Sequence, residues 1–228
     1  LKDLSDAERR TRELAAMLPR TRNDARSLTG KVLTGAVADI PASRTVGGTL
    51  KRGLKVFGGI LGVLGAVLAV NTLTLGLVNR MFGLVPRSMF GLPGIVLHPL
   101  LHASFQHLAM NAVGLVMLGG VVFLRNERDF WRVTVFGTLF GGTLVWFVGP
   151  NALHVGASGV VFAYLGYLLT TGWFDRKPGA ILLSLSAAAL WGSALAGLSP
   201  LQKGVSWQLH LFGLIAGAIV ASWRRKRA

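Results

Sequence analysis

Ser158 lies in the run Gly156-Ala157-Ser158-Gly159, and His210 opens the run His210-Leu-Phe-Gly213-Leu-Ile-Ala-Gly217. A serine hydroxyl is a weak nucleophile until a neighbouring base takes its proton, and a neutral imidazole is suited to that task near neutral pH. His107 and Asn111 are spaced i and i+4, so on a helix they share a face and aim two donors at one point. Together with the Ser158 backbone N–H at a helix start, they form a candidate oxyanion site. The chemistry open to this set is acyl transfer, with Ser158 attacking a peptide carbonyl and His210 as general base.

The acidic residues narrow the field. Asp3, Asp6, Glu8, Glu13, Asp24, Asp39, Glu127, Asp129 and Asp175 account for all nine, and each falls outside the apolar segments, on the side expected to be cytoplasmic. An aspartyl intramembrane protease, a HExxH zinc site and a Ser-His-Asp triad with an embedded acid are thereby excluded. A transporter relaying protons through buried carboxylates is disfavoured on the same ground. The absence of cysteine excludes disulfides and thiol catalysis. His98, His102 and His107 lack a carboxylate companion, so no metal and no cofactor are expected. His154, close to the nucleophile in sequence, reads as an interfacial loop histidine, and Ser158 alone would read as a helix-starting serine satisfying its own backbone. The pairing with His210 reverses that second reading.

These residues need a scaffold, and composition indicates which kind. With 52% hydrophobic and 14% charged residues in 228, the chain is apolar enough to be a membrane protein. Six segments approach the roughly 20 residues a bilayer-crossing helix needs: residues 56–78, 107–124, 131–148, 156–174, 179–198 and 207–223. The fold expected is all-α, a polytopic six-helix bundle over 56–223, flanked by basic cytoplasmic tails at 1–55 and 224–228. Ser5 and Glu8 form a capping box for a short helix over 6–18, and 29–49 reads as a linker. The chain opens on Leu1 with no signal-peptide pattern in its charged first thirty residues, and reads as a fragment or processed product. The stretch 79–106, apolar but broken by Pro86, Pro93 and Pro99, cannot present unsatisfied backbone to lipid, and is expected to rest on protein as an interfacial or re-entrant loop.

Arg125, Arg128, Arg132, Arg176, Lys177 and Arg224 to Arg227 fall on one side of such a path, which places both termini in the cytoplasm. The net charge of +15 is then a matter of topology and anionic lipid headgroups, and nucleic acid is not expected as a partner. Ser158 and His210 sit near the opposite boundary of the bilayer. Gly159 and Ala163 on the fourth span, with Gly213 and Gly217 on the sixth, are small-residue stripes that would let the two helices approach closely.

From about residue 79 to 221 the sequence resembles the rhomboid intramembrane serine proteases. Gly156-Ala157-Ser158-Gly159 is similar to the family's GxSG nucleophile motif. His107-Leu-Ala-Met-Asn111 resembles its HxxxN oxyanion motif, and His210 with Gly213 and Gly217 its final-helix base. The resemblance implies a membrane-embedded first loop, location in the plasma membrane, and transmembrane protein substrates cut within or near the outer leaflet. Two positions depart from the family's frequent residues: Pro93-Gly94 stands where a Trp-Arg pair is common, and Phe162 replaces a Tyr, keeping a ring that could pack on His210. The rival readings are a catalytically silent rhomboid-like protein that binds membrane clients, and a small multi-pass transporter.

Overall fold

The computed structural model describes residues 46–202 and 204–225. Two compact units divide between Lys51 and Arg52; the first is described only over its last residues, and the second holds the helical bundle. The capping box at Ser5 and the helix expected over 6–18 lie outside the described residues.

Helix α1 is Val46–Leu73, and begins upstream of the apolar segment expected from residue 56. Its end is set by a left-handed turn at Leu75 and Gly76, which leads into the short α2, Leu77–Phe82. The proline-broken stretch is not one irregular loop. It holds α2, a 3-10 turn at Met89–Gly91, the single turn α3 at Gly94–Leu97 and a second 3-10 turn at His98–Leu100. Its backbone rests on protein: the Trp146 indole donates to Ser88 O at 3.0 Å, Arg87 donates to Gly149 O at 2.7 Å, and Leu84 and His154 exchange backbone hydrogen bonds of 3.1 and 2.8 Å.

Ser104 caps α4, Phe105–Gly114, by accepting from the His107 N–H. A π-helical turn over Leu115–Gly119 carries α4 into α5, Gly120–Arg125. Asn126 then caps α6, Glu127–Val148, whose first turn carries Glu127 and Asp129 where the helix dipole favours negative charge. Helix α7, Ser158–Asp175, ends on a left-handed Arg176. Pro178 occupies the first turn of α8, Pro178–Trp191, a position where its missing N–H costs nothing. A 3-10 run over Gly192–Leu198 follows. The last helix, α9, is Trp207–Arg225, so Arg224 and Arg225 extend the helix rather than begin a tail.

The chain is a polytopic helical membrane protein. Four described stretches are long and apolar enough to cross a bilayer: Gly47–Leu73, Phe105–Arg125, Glu127–Val148 and Pro178–Leu198. Large apolar side chains stand exposed along them, among them Val70, Phe147, Leu182 and Leu190, as lipid contact requires and a soluble surface rarely tolerates. Helix α9 falls short of that description because its apolar stretch, Trp207–Trp223, is short, and α7 because it is interior. Tyr164, Tyr167, Leu165 and Leu168 on α7 are almost wholly buried, and Phe130 of α6 stacks on Tyr164 with ring centroids 5.4 Å apart. An interior helix needs no lipid-facing stripe, so it tolerates the tyrosines, threonines and glycines that lower its hydropathy.

Candidate active site

Helices α7 and α9 meet through their small residues. A Cβ added at Gly213 would strike the Gly159 carbonyl, and one at Gly217 would strike that of Ala163. The register 159 to 213 and 163 to 217 runs in the same direction on both, so the helices are parallel and their N-termini share one end of the bundle. That is the end at which Ser158 opens α7 and His210 sits in the first turn of α9.

The His210 imidazole lies flat on the Phe162 ring, with centroids 4.1 Å apart and planes 6° from parallel. Phe162 is one turn below Ser158 on the same face of α7. His210 Nδ1 is 2.9 Å from the carbonyl oxygen of Gly197, in the 3-10 run after α8. A carbonyl only accepts, so Nδ1 carries the proton and donates, and Nε2 keeps the lone pair. A backbone oxygen thus fixes the tautomer without an acid. Sequence reading misses Gly197 because its contribution is a main-chain carbonyl, which any residue carries. Ser158 Oγ makes no hydrogen bond of its own among the described residues; catalytic hydrogen bonds in substrate-free sites are commonly long and tighten only when substrate is bound.

His107 and Asn111 converge on the segment before Ser158. Gly156 has φ +119°, a backbone angle that strains any side chain, and a Cβ there would lie 2.7 Å from the His107 ring and 3.4 Å from Asn111 Nδ2. The glycine is therefore required twice, for its angle and for the space the two donors fill. Its N–H donates to His98 O at 2.8 Å, which ties the turn to the proline-rich stretch. Asn111 is buried, and its Nδ2 makes no hydrogen bond among the described residues. Neither ring nitrogen of the buried His102 makes one either, although that ring packs edge-on against His107 at 5.2 Å.

His154 lies in the loop before α7 and is buried against protein. Nδ1 is 2.8 Å from Ser206 Oγ and Nε2 is 3.2 Å from Pro150 O. Burial pushes its imidazole below the usual histidine range, partly offset by the Pro150 hydrogen bond. A cavity of about 380 Å³ opens beside these groups, lined by His107, Pro150, His154, Ser206, Trp207 and Gln208 among others.

The sequence is similar to several known proteins. An uncharacterized protein of Mycobacterium tuberculosis is 36% identical over 148 residues, covering 61% of this chain and 62% of that protein. One of Mycobacterium leprae is 36% identical over 137 residues, covering 56% and 54%. The rhomboid protease GlpG of Pectobacterium atrosepticum is 31% identical over 131 residues, covering 55% of this chain and 46% of that enzyme. The matched stretch thus spans about three fifths of the mycobacterial relatives and about half of GlpG. The family model for the Rhomboid domain matches residues 86–227, more than half of the sequence, and the chain belongs to the rhomboid family.

Proposed function

We propose that this protein is an intramembrane serine endopeptidase that hydrolyses peptide bonds in or near the transmembrane segments of other proteins, with Ser158 as nucleophile and His210 as base. The observation that carries the reading is the posture of His210: stacked on Phe162 one turn below Ser158, with Nδ1 held by Gly197 O, it has Nε2 as its available base. Gly159, Gly213 and Gly217 support this by letting α7 and α9 approach closely enough for the two side chains to meet.

The Ser158 hydroxyl proton passes to His210 Nε2 as Oγ bonds to the substrate carbonyl carbon. The oxyanion takes hydrogen bonds from the Ser158 N–H, from Asn111 Nδ2 and from His107, and Gly156 makes room for the last two. Collapse of the tetrahedral intermediate breaks the C–N bond, the leaving amine takes the proton from His210, and water hydrolyses the acyl-enzyme by the reverse use of the same base. Because Nδ1 is held by a carbonyl and not by a carboxylate, the imidazolium is stabilised by a neutral dipole alone.

The six-span path with both termini cytoplasmic, in the plasma membrane and with the site facing outward, belongs to the same proposal. It is supported by the three described carboxylates. Glu127, Asp129 and Asp175 all lie at the end of the bundle away from Ser158, and Asp175 is about 26 Å along α7 from it at 1.5 Å per residue. Arg125, Arg128, Arg132, Arg176 and Lys177 accompany them, placed to meet anionic headgroups on the cytoplasmic face.

A fluorophosphonate probe tests the reading. Labelling of the purified protein that disappears in Ser158→Ala and in His210→Ala, together with cleavage of a transmembrane reporter by the wild type alone, is expected. Folded wild-type protein that takes no label would instead make the chain a silent rhomboid-like binder of membrane clients.

A further inference from the structure

We infer that the His154 imidazole and the Ser206 hydroxyl form a clasp that sets the Ser158 and His210 side chains relative to each other, a positioning device that rests on the protease reading above. His154 is four residues before Ser158, and Ser206 is four residues before His210. Ser206 thus stands about one helical turn before His210, while His154 lies in the non-helical segment that leads into α7 at Ser158.

The bond has one direction. Pro150 O only accepts, so His154 Nε2 carries the ring proton and donates to it at 3.2 Å. Nδ1 then holds the lone pair, and the Ser206 hydroxyl donates to it at 2.8 Å. Both partners are anchored independently of each other. His154 exchanges two backbone hydrogen bonds with Leu84, and the Ser206 carbonyl accepts the N–H of His210 at 3.2 Å. Among the described residues no other hydrogen bond joins 150–158 to 204–210. The glycine packing and the Phe162–His210 stack set how the helices lie against each other, and the clasp adds the one hydrogen bond, among the described residues, between the segments that lead into them. The clasp also lines the cavity that opens beside the site, so a substrate segment entering there would lie against it.

The geometry dictates a test with internal controls. Ser206→Ala removes the donor, whereas Ser206→Thr keeps it. His154→Asn puts an acceptor oxygen where Nδ1 stands, whereas His154→Gln puts its amide nearer the position of Nε2 and loses the acceptor facing Ser206. The measurement is the rate constant for fluorophosphonate labelling of Ser158 in the purified full-length protein, per folded molecule, with the thermal midpoint taken alongside. Ser206→Ala and His154→Gln are expected to slow labelling about 10–100-fold, the scale of a catalytic group displaced by an ångström or less. Ser206→Thr and His154→Asn recover most of that loss, and the double variant Ser206→Ala with His154→Gln is no slower than the slower single variant. A Ser206→Ala rate equal to wild type per folded molecule, or no recovery in Ser206→Thr at an unchanged midpoint, overturns the clasp and leaves the protease reading standing. If the His154 variants do not fold, the Ser206 pair alone decides. A wild type that takes no label overturns the protease reading, and the clasp with it.

Discussion

Helix α7 has polar groups at both ends, and the two ends bury them in opposite ways. At the Asp175 end the groups are charged and paired: Asp175 with Arg125, Asp129 with Arg132 at 2.9 Å and with the Tyr167 hydroxyl at 2.9 Å, and Glu127 with Arg52 at 3.1 Å. At the Ser158 end they are neutral. His98, His154 and His210 each bond to a backbone carbonyl, while Asn111 Nδ2 and both nitrogens of His102 make no hydrogen bond among the described residues. The contrast follows from the surroundings. An unpaired charge in an apolar interior costs far more than an unpaired amide, so full charges persist only where a partner is built in. Neutral groups can be left with spare hydrogen-bonding capacity, and a reaction draws on that spare capacity. Polar groups at one end hold the bundle together, and those at the other are free to act on something else.

The largest effects test whether the Ser158 end is poised for chemistry rather than for stability. His210→Ala and Ser158→Ala are each expected to lower reporter turnover by about 10⁴–10⁶-fold, as loss of a nucleophile or its base does elsewhere, with thermal midpoints close to wild type. Cleavage that persists in either variant breaks the comparison at its centre. The pH profile sharpens it, because only a neutral imidazole accepts a proton. The labelling rate should therefore rise with pH as an imidazole gives up its proton and then level off. A rate that falls as the pH rises removes the base from the scheme.

Asn111 comes next. Removing one oxyanion donor costs about 10²–10³-fold in turnover. Since Nδ2 makes no hydrogen bond among the described residues, Asn111→Ala should leave the thermal midpoint unchanged or slightly raised. A stability loss without a turnover loss would move Asn111 into a structural role and leave the Ser158 N–H and His107 to hold the oxyanion.

Much of this division is legible in the sequence, because it follows from where residue types fall along the chain. The nine acids and the Arg and Lys clusters define one end of the path, while the five histidines with Asn111 and Ser158 cluster toward the other. The close approach of α7 and α9 is legible too, since Gly159, Gly213 and Gly217 recur at spacings that put them on one face. Less legible is anything carried by the main chain. The Gly197 carbonyl that fixes the His210 tautomer has no side-chain signature, and neither do the paired backbone bonds between Leu84 and His154. Helix ends are misjudged where apolarity is the guide. Helix α1 begins at Val46, among basic residues that hydropathy assigns to a tail, because a helix continues past the bilayer as long as its backbone hydrogen bonds do. The sequence places His154 in a loop, and only the fold reveals Ser206 beside it.

The smallest effects come from the other end of α7, and they grade themselves by burial. Asp129 has a side chain only 3% exposed and holds both Arg132 and Tyr167. Asp129→Ala removes the carboxylate that accepts from the Tyr167 hydroxyl, whereas Arg132, 35% exposed, can turn to water. The cost is then that of one lost hydrogen bond to a charged group, about 1.5–3 kcal/mol, rather than that of a stranded buried charge. Glu127 stands opposite. Its pair with Arg52 is 32% and 45% exposed, so water and salt screen it on both sides and Glu127→Gln should cost about 0–1 kcal/mol. In both variants the fluorophosphonate rate per folded molecule is expected to match wild type, measured beside the thermal midpoint. A Glu127→Gln variant that slows labelling without lowering the midpoint would couple the two ends of the bundle, and the separation of charged scaffold from neutral site would have to be abandoned.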